Sequence, residues 1–447
     1  MTDVAGQRLP EGAGSGGTVR ERANEPSRLV AATFPEAAVR ARARTGAAQA
    51  FPDTAGYGTA LYGADPAARA LDVLDAMRLV PPVFVPRRLE KLIDLGREPV
   101  YRDVELDTAI GGFASTLPLY LSAFGSTQVA SVDLGVAAGR QAGRLGIPMV
   151  VGEDVVPGNG YGRLDDQSAG RSLLGRLEAY ASEVPDGRGG VVVQQSTEDA
   201  DAEMWKLVYR DPSALPLLES GRLAFELKVG QGAKPGLGGM TVLDAAAADR
   251  RAEAYPLDPL FGGGRVLRAG SPGTFTEEIL RQQIRLMRNN FPRARVWVKL
   301  PPARDVLAAA LVAWEAGADA VTVDGAEGGT GWAPTAFLGH VGLPLAECLR
   351  RIGDQDACLL VSGRMWEGTR VAKSLALGAT AAGLGRAALV AVDEDPDAGL
   401  VNLVDCLALE LRMLTSALGK YHCGELGRED VWATAEMSTM DTLAGVW

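Results

Sequence analysis

Eight short apolar runs, most of them separated by stretches with helical periodicity, occupy the chain between residues 117 and 387. This alternation is typical of βα units, which assemble into a parallel sheet. The runs are not strict alternations of apolar and polar residues, as expected for strands covered on both faces. Because no GxGxxG follows the first run, the pattern favours a closed (β/α)8 TIM barrel over an open dinucleotide-binding sheet. The runs span 117–126, 147–154, 190–196, 223–232, 295–301, 319–325, 357–364 and 380–387.

The rest of the chain divides around these runs. Residues 1–28 are rich in Gly, Pro, Arg and Glu and are predicted to be a disordered arm. Residues 29–110 form an N-terminal helical and extended lead-in, helical over 65–80 and extended over 81–89, in which we identify no chemistry. Residues 111–447 are predicted to hold the barrel and a C-terminal helix. A long excursion over 232–294 follows the fourth run, and such loops are usually functional.

Charge and composition exclude several classes of function. The net charge of −11 argues against a nucleic-acid or anionic-membrane partner, and no apolar run is long enough to span a bilayer. The first residues lack the apolar core of a signal peptide, so we expect a soluble, cytoplasmic protein. The few cysteines and histidines lie without a metal-ligand spacing or a hydrolase motif, so no metal is expected: Cys348, Cys358, Cys406, Cys423, His340 and His422.

Two glycine-rich loops follow predicted strands. "KVGQGAKPGLGGM" (228–240) leaves the fourth strand, and "DGAEGGTGWAP" (324–334) leaves the sixth. Glycine at this density weakens any helix or strand and lets backbone N–H groups approach an anion or a flat cofactor. The alternative is that each loop is a plain surface turn.

The last two strands end in "SGR" (362–364) and "GLGR" (383–386), each followed by a helix start. Barrel enzymes commonly bind a ligand phosphate at these two positions, and Arg364 and Arg386 can add bidentate contacts. Alternatively, both are surface arginines of an arginine-rich chain. Together the four loops favour a large, flat, phosphorylated cofactor, and flavin mononucleotide (FMN) fits. Lys299, at the end of the fifth strand, can then stabilise the reduced flavin at its N1–C2=O edge, or else extends its charge into water.

The sequence here resembles the FMN-binding barrel of glutamate synthase and its shorter relatives, including the barrel subunit of N-methylglutamate synthase. The motif "ELKVGQGAKPGLGG" (226–239) carries most of the resemblance. Six weaker matches follow the family's order: "LSAFGS" (121–126), "VGED" (151–154), "VWVKL" (296–300), "DGAEGGTGWAP" (324–334), "SGR" (362–364) and "LGRAAL" (384–389). The closing stretch over 400–419 is similar to the family's C-terminal helix.

The resemblance implies a role for each matching residue. Lys234 and Glu153 match positions that bind the 2-oxo acid or its imine beside the flavin. In the family, ammonia condenses with 2-oxoglutarate and reduced FMN delivers hydride from N5 to the imine carbon. The implied flavin contacts are Ala123, Phe124, Gly125, Ser126, Gln194 or Gln195, Gln231, Lys299, Gly328, Gly329 and Thr330, and the implied phosphate contacts are Gly363, Arg364, Gly383, Gly385 and Arg386.

Departures from the family pattern limit what the resemblance implies. Leu237 and Met240 replace an acidic residue and a glutamine that contacts the oxo acid, which favours a more apolar substrate than 2-oxoglutarate. Glu327 stands where a serine or aspartate is usual, and the segment 270–278 lacks the family's histidine. The iron–sulfur cysteines and a glutaminase domain are missing, so a complete glutamate synthase is not expected.

Three functions remain open from the sequence. The first is an FMN-dependent oxidoreductase acting on an amino acid, 2-oxo acid or imine, with electrons or amine supplied in solution or by a partner subunit. The second is a redox-neutral FMN isomerase or lyase on the same barrel. The third is a non-catalytic barrel subunit of a larger complex. A homo-oligomer is expected in each case, and flavin content with the activity of the isolated chain discriminates among them.

Overall fold

The computed structural model describes most of the lead-in and the barrel. The described residues are 29–31, 34–53, 55, 59, 71–124, 134–153, 155–156, 161–162, 172–197, 203–232, 234, 239–244, 256–260, 264–270, 275–329 and 331–433. The predicted arm over 1–28 lies outside them.

The chain before the first barrel strand is built from short elements. They are α1 (Glu36–Thr45), a 3-10 turn (Gly46–Ala50), α2 (Val73–Ala76), β1 (Arg78–Leu79), α3 (Pro86–Leu95), a second 3-10 turn (Tyr101–Asp103), β2 (Thr108–Ile110) and β3 (Phe113–Ser115).

Two local predictions for the lead-in are wrong in part. Within the described part of 65–80, α2 is the only helix. It begins at residue 73 because the Asp72 side chain accepts a hydrogen bond from the Asp75 N–H and so caps the amino end of the helix. The extended prediction over 81–89 fails from Pro86 onward. Proline is favoured at the first helical position, where no N–H is needed, and α3 starts there.

Eight parallel strands close into a barrel, which confirms the predicted fold. The order around the barrel is that of the chain, and the last strand pairs with the first. All eight coincide with the eight apolar runs. The strands are β4 (Leu119–Phe124), β5 (Met149–Val151), β6 (Val191–Ser196), β7 (Leu223–Lys228), β11 (Arg295–Leu300), β12 (Ala320–Asp324), β13 (Leu359–Ser362) and β14 (Ala381–Leu384).

Helices surround the barrel, and most of them bury apolar side chains. They are α4 (Leu134–Leu145), α5 (Leu173–Ala181), α6 (Glu203–Arg210), α7 (Leu215–Glu219), α8 (Glu277–Asn290), α9 (Val306–Glu315), α10 (Thr335–His340), α11 (Leu345–Ile352), α12 (Gly368–Ala376), α13 (Arg386–Glu394) and α14 (Gly399–Ala417). After α14, the short strand β15 (Val431–Trp432) returns to pair antiparallel with β1. Among the described residues, none of the helices combines the length and apolar character needed to cross a membrane.

The predicted excursion between β7 and β11 contains its own small antiparallel sheet. Its strands are β8 (Met240–Asp244), β9 (Leu257–Pro259) and β10 (Arg265–Ala269), with β10 in the centre. Helix α8 then returns the chain to the barrel. The excursion therefore starts at the carboxyl end of β7, where barrel enzymes build their sites.

The β2–β3 hairpin closes the amino end of the barrel. Its Phe113 ring lies 5.5 Å from the Trp297 ring, centroid to centroid. The Trp297 indole N–H donates to the Gly111 carbonyl at 3.1 Å. Aromatic side chains therefore fill this end of the barrel.

Helices α4 and α5 approach each other closely at a glycine. A Cβ on Gly143 would lie 2.4 Å from the Tyr180 carbonyl oxygen, which is backbone and cannot move aside. We expect Gly143→Ala to lower the free energy of unfolding by about 1–3 kcal/mol through overpacking. Urea denaturation measures the effect. The matched control is Gly339→Ala in α10, where nothing lies within 4 Å, and it should be neutral or stabilising. Equal stability of the two variants would contradict this account.

Candidate active site

A ring of polar side chains lies inside the barrel, above an apolar ring. Side chains that point inward recur at every second residue of each strand. The inward apolar residues form one cluster, with one member from each strand: Tyr120, Val150, Val192, Ala224, Trp297, Ala320, Leu360 and Ala381. Two positions nearer the carboxyl end of each strand stand Ser122, Gly152, Gln194, Glu226, Lys299, Thr322, Ser362 and Gly383, all buried. We call these eight residues the polar layer.

Glu226 is held on both sides within the polar layer. Gln194 donates a short hydrogen bond from its amide nitrogen to one carboxylate oxygen of Glu226. The Thr322 hydroxyl donates to the other at 3.0 Å. Complete burial raises the pKa of Glu226, and the opposing charge of Lys299 offsets only part of that rise. The carboxyl group is thus fixed in position and more prone to hold a proton than an exposed glutamate.

Lys299 and Asp324 form a buried ion pair at the same level. The Lys299 ammonium lies 3.1 Å from Asp324 Oδ2, and the two side chains are only 6% and 4% exposed. Ser362 donates a short hydrogen bond to the other Asp324 oxygen. Burial works against the charge on Lys299, but the charges of Asp324 and Glu226 outweigh it and raise the pKa of Lys299 above its ordinary value. The lysine is therefore charged, and its charge faces a compensating carboxylate.

Glu153, which the resemblance places beside the substrate, pairs with Lys228, a lysine to which the sequence analysis gave no individual role. The Lys228 ammonium contacts Glu153 Oε1, and both side chains are largely buried. Lys228 ends β7 two residues after Glu226, so it lies one step nearer the mouth of the barrel. The alternation of inward and outward side chains along β7 was a signal that could have identified Glu226 and Lys228 from the sequence.

The two glycine-rich loops are joined to each other. The Gln231 side-chain amide donates to the Gly329 carbonyl at 3.1 Å. Lys234 pairs with Gln231 through both backbone hydrogen bonds. Farther along, the Val242 N–H donates to the Trp332 carbonyl at 2.8 Å, so the sheet of the excursion also contacts the second loop. Predicted residues from separate loops are thereby brought to one side of the barrel mouth.

The predicted phosphate residues gather at the ends of β13 and β14. Arg364 has a left-handed φ of 51°, and it is the only non-glycine residue with a positive φ in the described part of the chain. The Arg386 guanidinium donates to the Glu327 carbonyl and lies over the Phe34 ring at 5.0 Å. Burial and the nearby charge of Arg364 lower the pKa of Arg386. The two predicted arginines thus lie near enough for their charges to interact, at the start of α13.

The lead-in segment that seemed to carry no chemistry holds this region in place. Asp72 accepts hydrogen bonds from both Arg364 and Arg370. Lys373 donates to the Leu74 carbonyl at 3.0 Å. Arg370 is fully buried and also donates to the Gly363 carbonyl at 3.0 Å. The lead-in, in which the sequence analysis identified no chemistry, therefore contacts a loop that holds predicted site residues. Helix α2 contacts the loop after β13 through residues that are far apart in the sequence, so no local sequence pattern predicts these contacts.

Asp72 should make stability depend on acidity. Burial alone would raise the pKa of its carboxyl group, but the hydrogen bonds and charge of Arg370 lower it below the ordinary value of 3.8. A carboxylate with a depressed pKa stabilises the fold above that ordinary value and loses the contribution as pH falls through the lower, folded pKa. We expect Asp72→Asn to be less stable than the wild type at neutral pH, with a smaller difference below pH 3.8. Urea unfolding at both pH values measures this, and a constant difference would count against it.

The remaining predicted residues have definite places or lie outside the described residues. Ala123 and Phe124 end β4, and the Arg176 guanidinium lies 6.0 Å from the centre of the Phe124 ring. Gln195 follows Gln194 and by alternation belongs to the opposite face of β6. The predicted residues Gly125, Ser126 and Thr330, together with Leu237, are outside the described residues.

The barrel has known structural relatives. It aligns with (S)-mandelate dehydrogenase from Pseudomonas putida at a TM-score of 0.52 and 18% identity, over 81% of this chain and 89% of that one. It also aligns with a mandelate oxidase variant carrying a monooxide FMN adduct, at a TM-score of 0.50 and 18% identity, over the same fractions. At this identity the likeness establishes the fold, which defines the chain as a (β/α)8-barrel protein.

Sequence comparison is more specific. Residues 217–394 match the conserved region in glutamate synthase, from α7 to the end of α13. An archaeal-type glutamate synthase (NADPH) from Dehalococcoides mccartyi is 35% identical over 184 residues, which are 39% of this chain and 36% of that protein. A glutamate synthase large subunit-like protein from Rhizobium meliloti is 33% identical over 284 residues, 60% of each chain. Residues 217–394 are therefore similar to the conserved region of glutamate synthase, and the chain spans between about a third and three fifths of these relatives.

Proposed function

We propose that this protein is an FMN-dependent oxidoreductase acting on an amino acid, a 2-oxo acid or an imine. The observation that carries the proposal is the buried polar layer with a charged Lys299, placed at the open end of a glutamate synthase-family barrel. The mandelate oxidase structure with its FMN adduct supports the choice of cofactor. The cofactor is FMN, which supplies hydride transfer when bound.

The described residues fit such a cofactor. Gly329 has no atom within 4 Å of where a Cβ would lie, and at Gly385 only Ser122 Cβ comes close, at 3.9 Å. This leaves open backbone on two sides of the mouth. The start of α13, with Arg364 and Arg386, supplies N–H groups and positive charge for the phosphate. Gln194, Gln231 and Lys299 supply hydrogen-bond donors for the ring system.

Other residues of this chain contact the substrate and limit the access of water. Lys234 offers positive charge to a substrate carboxylate, and the Glu153–Lys228 pair offers polar contacts beside it. The loops after β7 and β12 are joined by the hydrogen bond from Gln231 to Gly329, a position from which they can limit the access of water to the reacting centre. A partner subunit that supplies electrons or amine belongs to this proposal, because the Rhizobium relative is described as large subunit-like.

The first test is the visible spectrum of the purified protein, with chromatography of the released chromophore. Bound FMN, or FMN taken up on titration, is the expected result. Gly329→Leu should lower FMN affinity at least about tenfold, equivalent to about 1.4 kcal/mol, by filling the open space. Gly339→Leu is the matched control, since it makes the same change at an open, exposed helical glycine. A wild-type protein that neither contains nor binds FMN would overturn the assignment.

A further inference from the structure

Lys299 is the one lysine of the polar layer, and it does not act as an isolated charge. Asp324 contacts it directly at 3.1 Å, and Glu226 belongs to the same ring of side chains. Any group bound above the polar layer therefore meets a lysine whose charge is compensated from within the barrel. An electrostatic contribution from Lys299 has to be considered together with Asp324.

Asp324 is held by a contact on each of its two carboxylate oxygens. One of its carboxylate oxygens faces the ammonium, and the other accepts the hydrogen bond from Ser362 on the neighbouring strand. Asp324 itself is the last residue of β12 and pairs in register with Ser362. Its side chain is thus fixed by two contacts and by the sheet, so its charge acts at a constant position.

We propose that Asp324 is a positioning residue that sets the reduction potential of the bound flavin by compensating the charge of Lys299. This inference rests on the proposed function. Two electrons and one proton reduce the flavin to its anionic form, so the bound cofactor gains one negative charge. Lys299 favours that charge and Asp324 opposes it. Because both groups are buried, solvent and salt screen this effect weakly.

The test is the reduction potential of FMN-loaded protein, titrated with dithionite as electron source against a reference dye. Asp324→Asn keeps the shape of the side chain and removes its charge, so we expect a potential higher than that of the wild type. Asp324→Glu restores the charge and should bring the potential back toward the wild-type value. If Asp324 had only a structural role, the potential would not rise in Asp324→Asn and return toward the wild-type value in Asp324→Glu.

Asp319→Asn is the matched control. It makes the same chemical change just before β12, roughly 16 Å along the strand from Asp324 at the closed end of the barrel. Its potential should equal that of the wild type. If Asp324→Asn does not retain FMN, Asp324→Ser is measured with the same expectation.

Three results would overturn the inference. One is a potential in the Asp324 variants that equals or falls below that of the wild type. Another is an equal shift in Asp319→Asn. The third is absence of FMN from the wild type, which would overturn the proposed function as well. The first two results leave FMN bound, so they refute the role of Asp324 while the proposed function stands.

Discussion

Replacing Arg370 with methionine is expected to lower the free energy of unfolding by about 3–5 kcal/mol, because it leaves two carboxylates without their buried partner. The Arg370 guanidinium donates to both oxygens of Asp72 at 3.0 Å, contacts Asp75, and donates to the Gly363 carbonyl at 3.0 Å. The side chain has no solvent exposure. Urea unfolding followed by circular dichroism measures the loss.

Arg44→Met provides the matched comparison for Arg370→Met. Arg44 also pairs with a carboxylate, Glu394, but its side chain is 53% exposed. A surface pair of this kind contributes about 0–1 kcal/mol. If the two substitutions cost the same, burial does not govern the contribution of these ion pairs. A loss below about 1 kcal/mol in Arg370→Met would show that the docking of α2 onto the barrel is not important for stability.

Lys234→Ala is expected to raise the KM for the substrate about 30- to 4000-fold while FMN remains bound. Removal of one partner from a buried charged hydrogen bond costs about 2–5 kcal/mol, which corresponds to that range. Lys234 lies on the loop after β7, with its backbone paired to Gln231, so its position depends on the fold of that loop. The measurement is steady-state turnover with the oxo acid and amine pairs that prove active in a screen.

The control for Lys234→Ala is Lys206→Ala in α6, an exposed lysine on the outside of the barrel. Its KM and its FMN content should match those of the wild type. Unchanged KM in Lys234→Ala would remove Lys234 from the substrate site. Loss of FMN from Lys234→Ala would instead assign Lys234 to the cofactor, and the spectrum of the purified variant separates the two results.

Met240, at the start of β8, bears on which substrate the site accepts. The resemblance implies a glutamine at this position, so the methionine favours a more apolar substrate than 2-oxoglutarate. Screening should therefore include oxo acids with apolar side chains beside 2-oxoglutarate. A clear preference for 2-oxoglutarate would contradict that expectation.

The strands were predictable because their signal is local. Each barrel strand is buried on both faces, so it appears as a compact apolar run such as 190–196 or 295–301, and all eight were found. The polar layer was predictable in principle, since Glu226, Thr322 and Ser362 follow from counting two positions beyond the apolar ring. Gln194, Lys299 and Gly383 of this layer were predicted as site residues, but Glu226, Thr322 and Ser362 were missed. The sequence analysis followed strand ends and glycine-rich loops, which select residues by position rather than by the direction of the side chain.

The sequence by itself predicted the barrel fold, the resemblance to the glutamate synthase family and the expected cofactor, since these depend on apolar runs and on motifs a few residues long. Only the tertiary structure decided which charges meet. Asp72 and Arg370 are separated by 298 residues, and Lys228 and Glu153 by 75. Lys299 and Asp324 meet because neighbouring strands bring their carboxyl ends together. Pairing between distant residues depends on strand register and helix docking, and these arise from packing of the whole barrel rather than from any local pattern of residues.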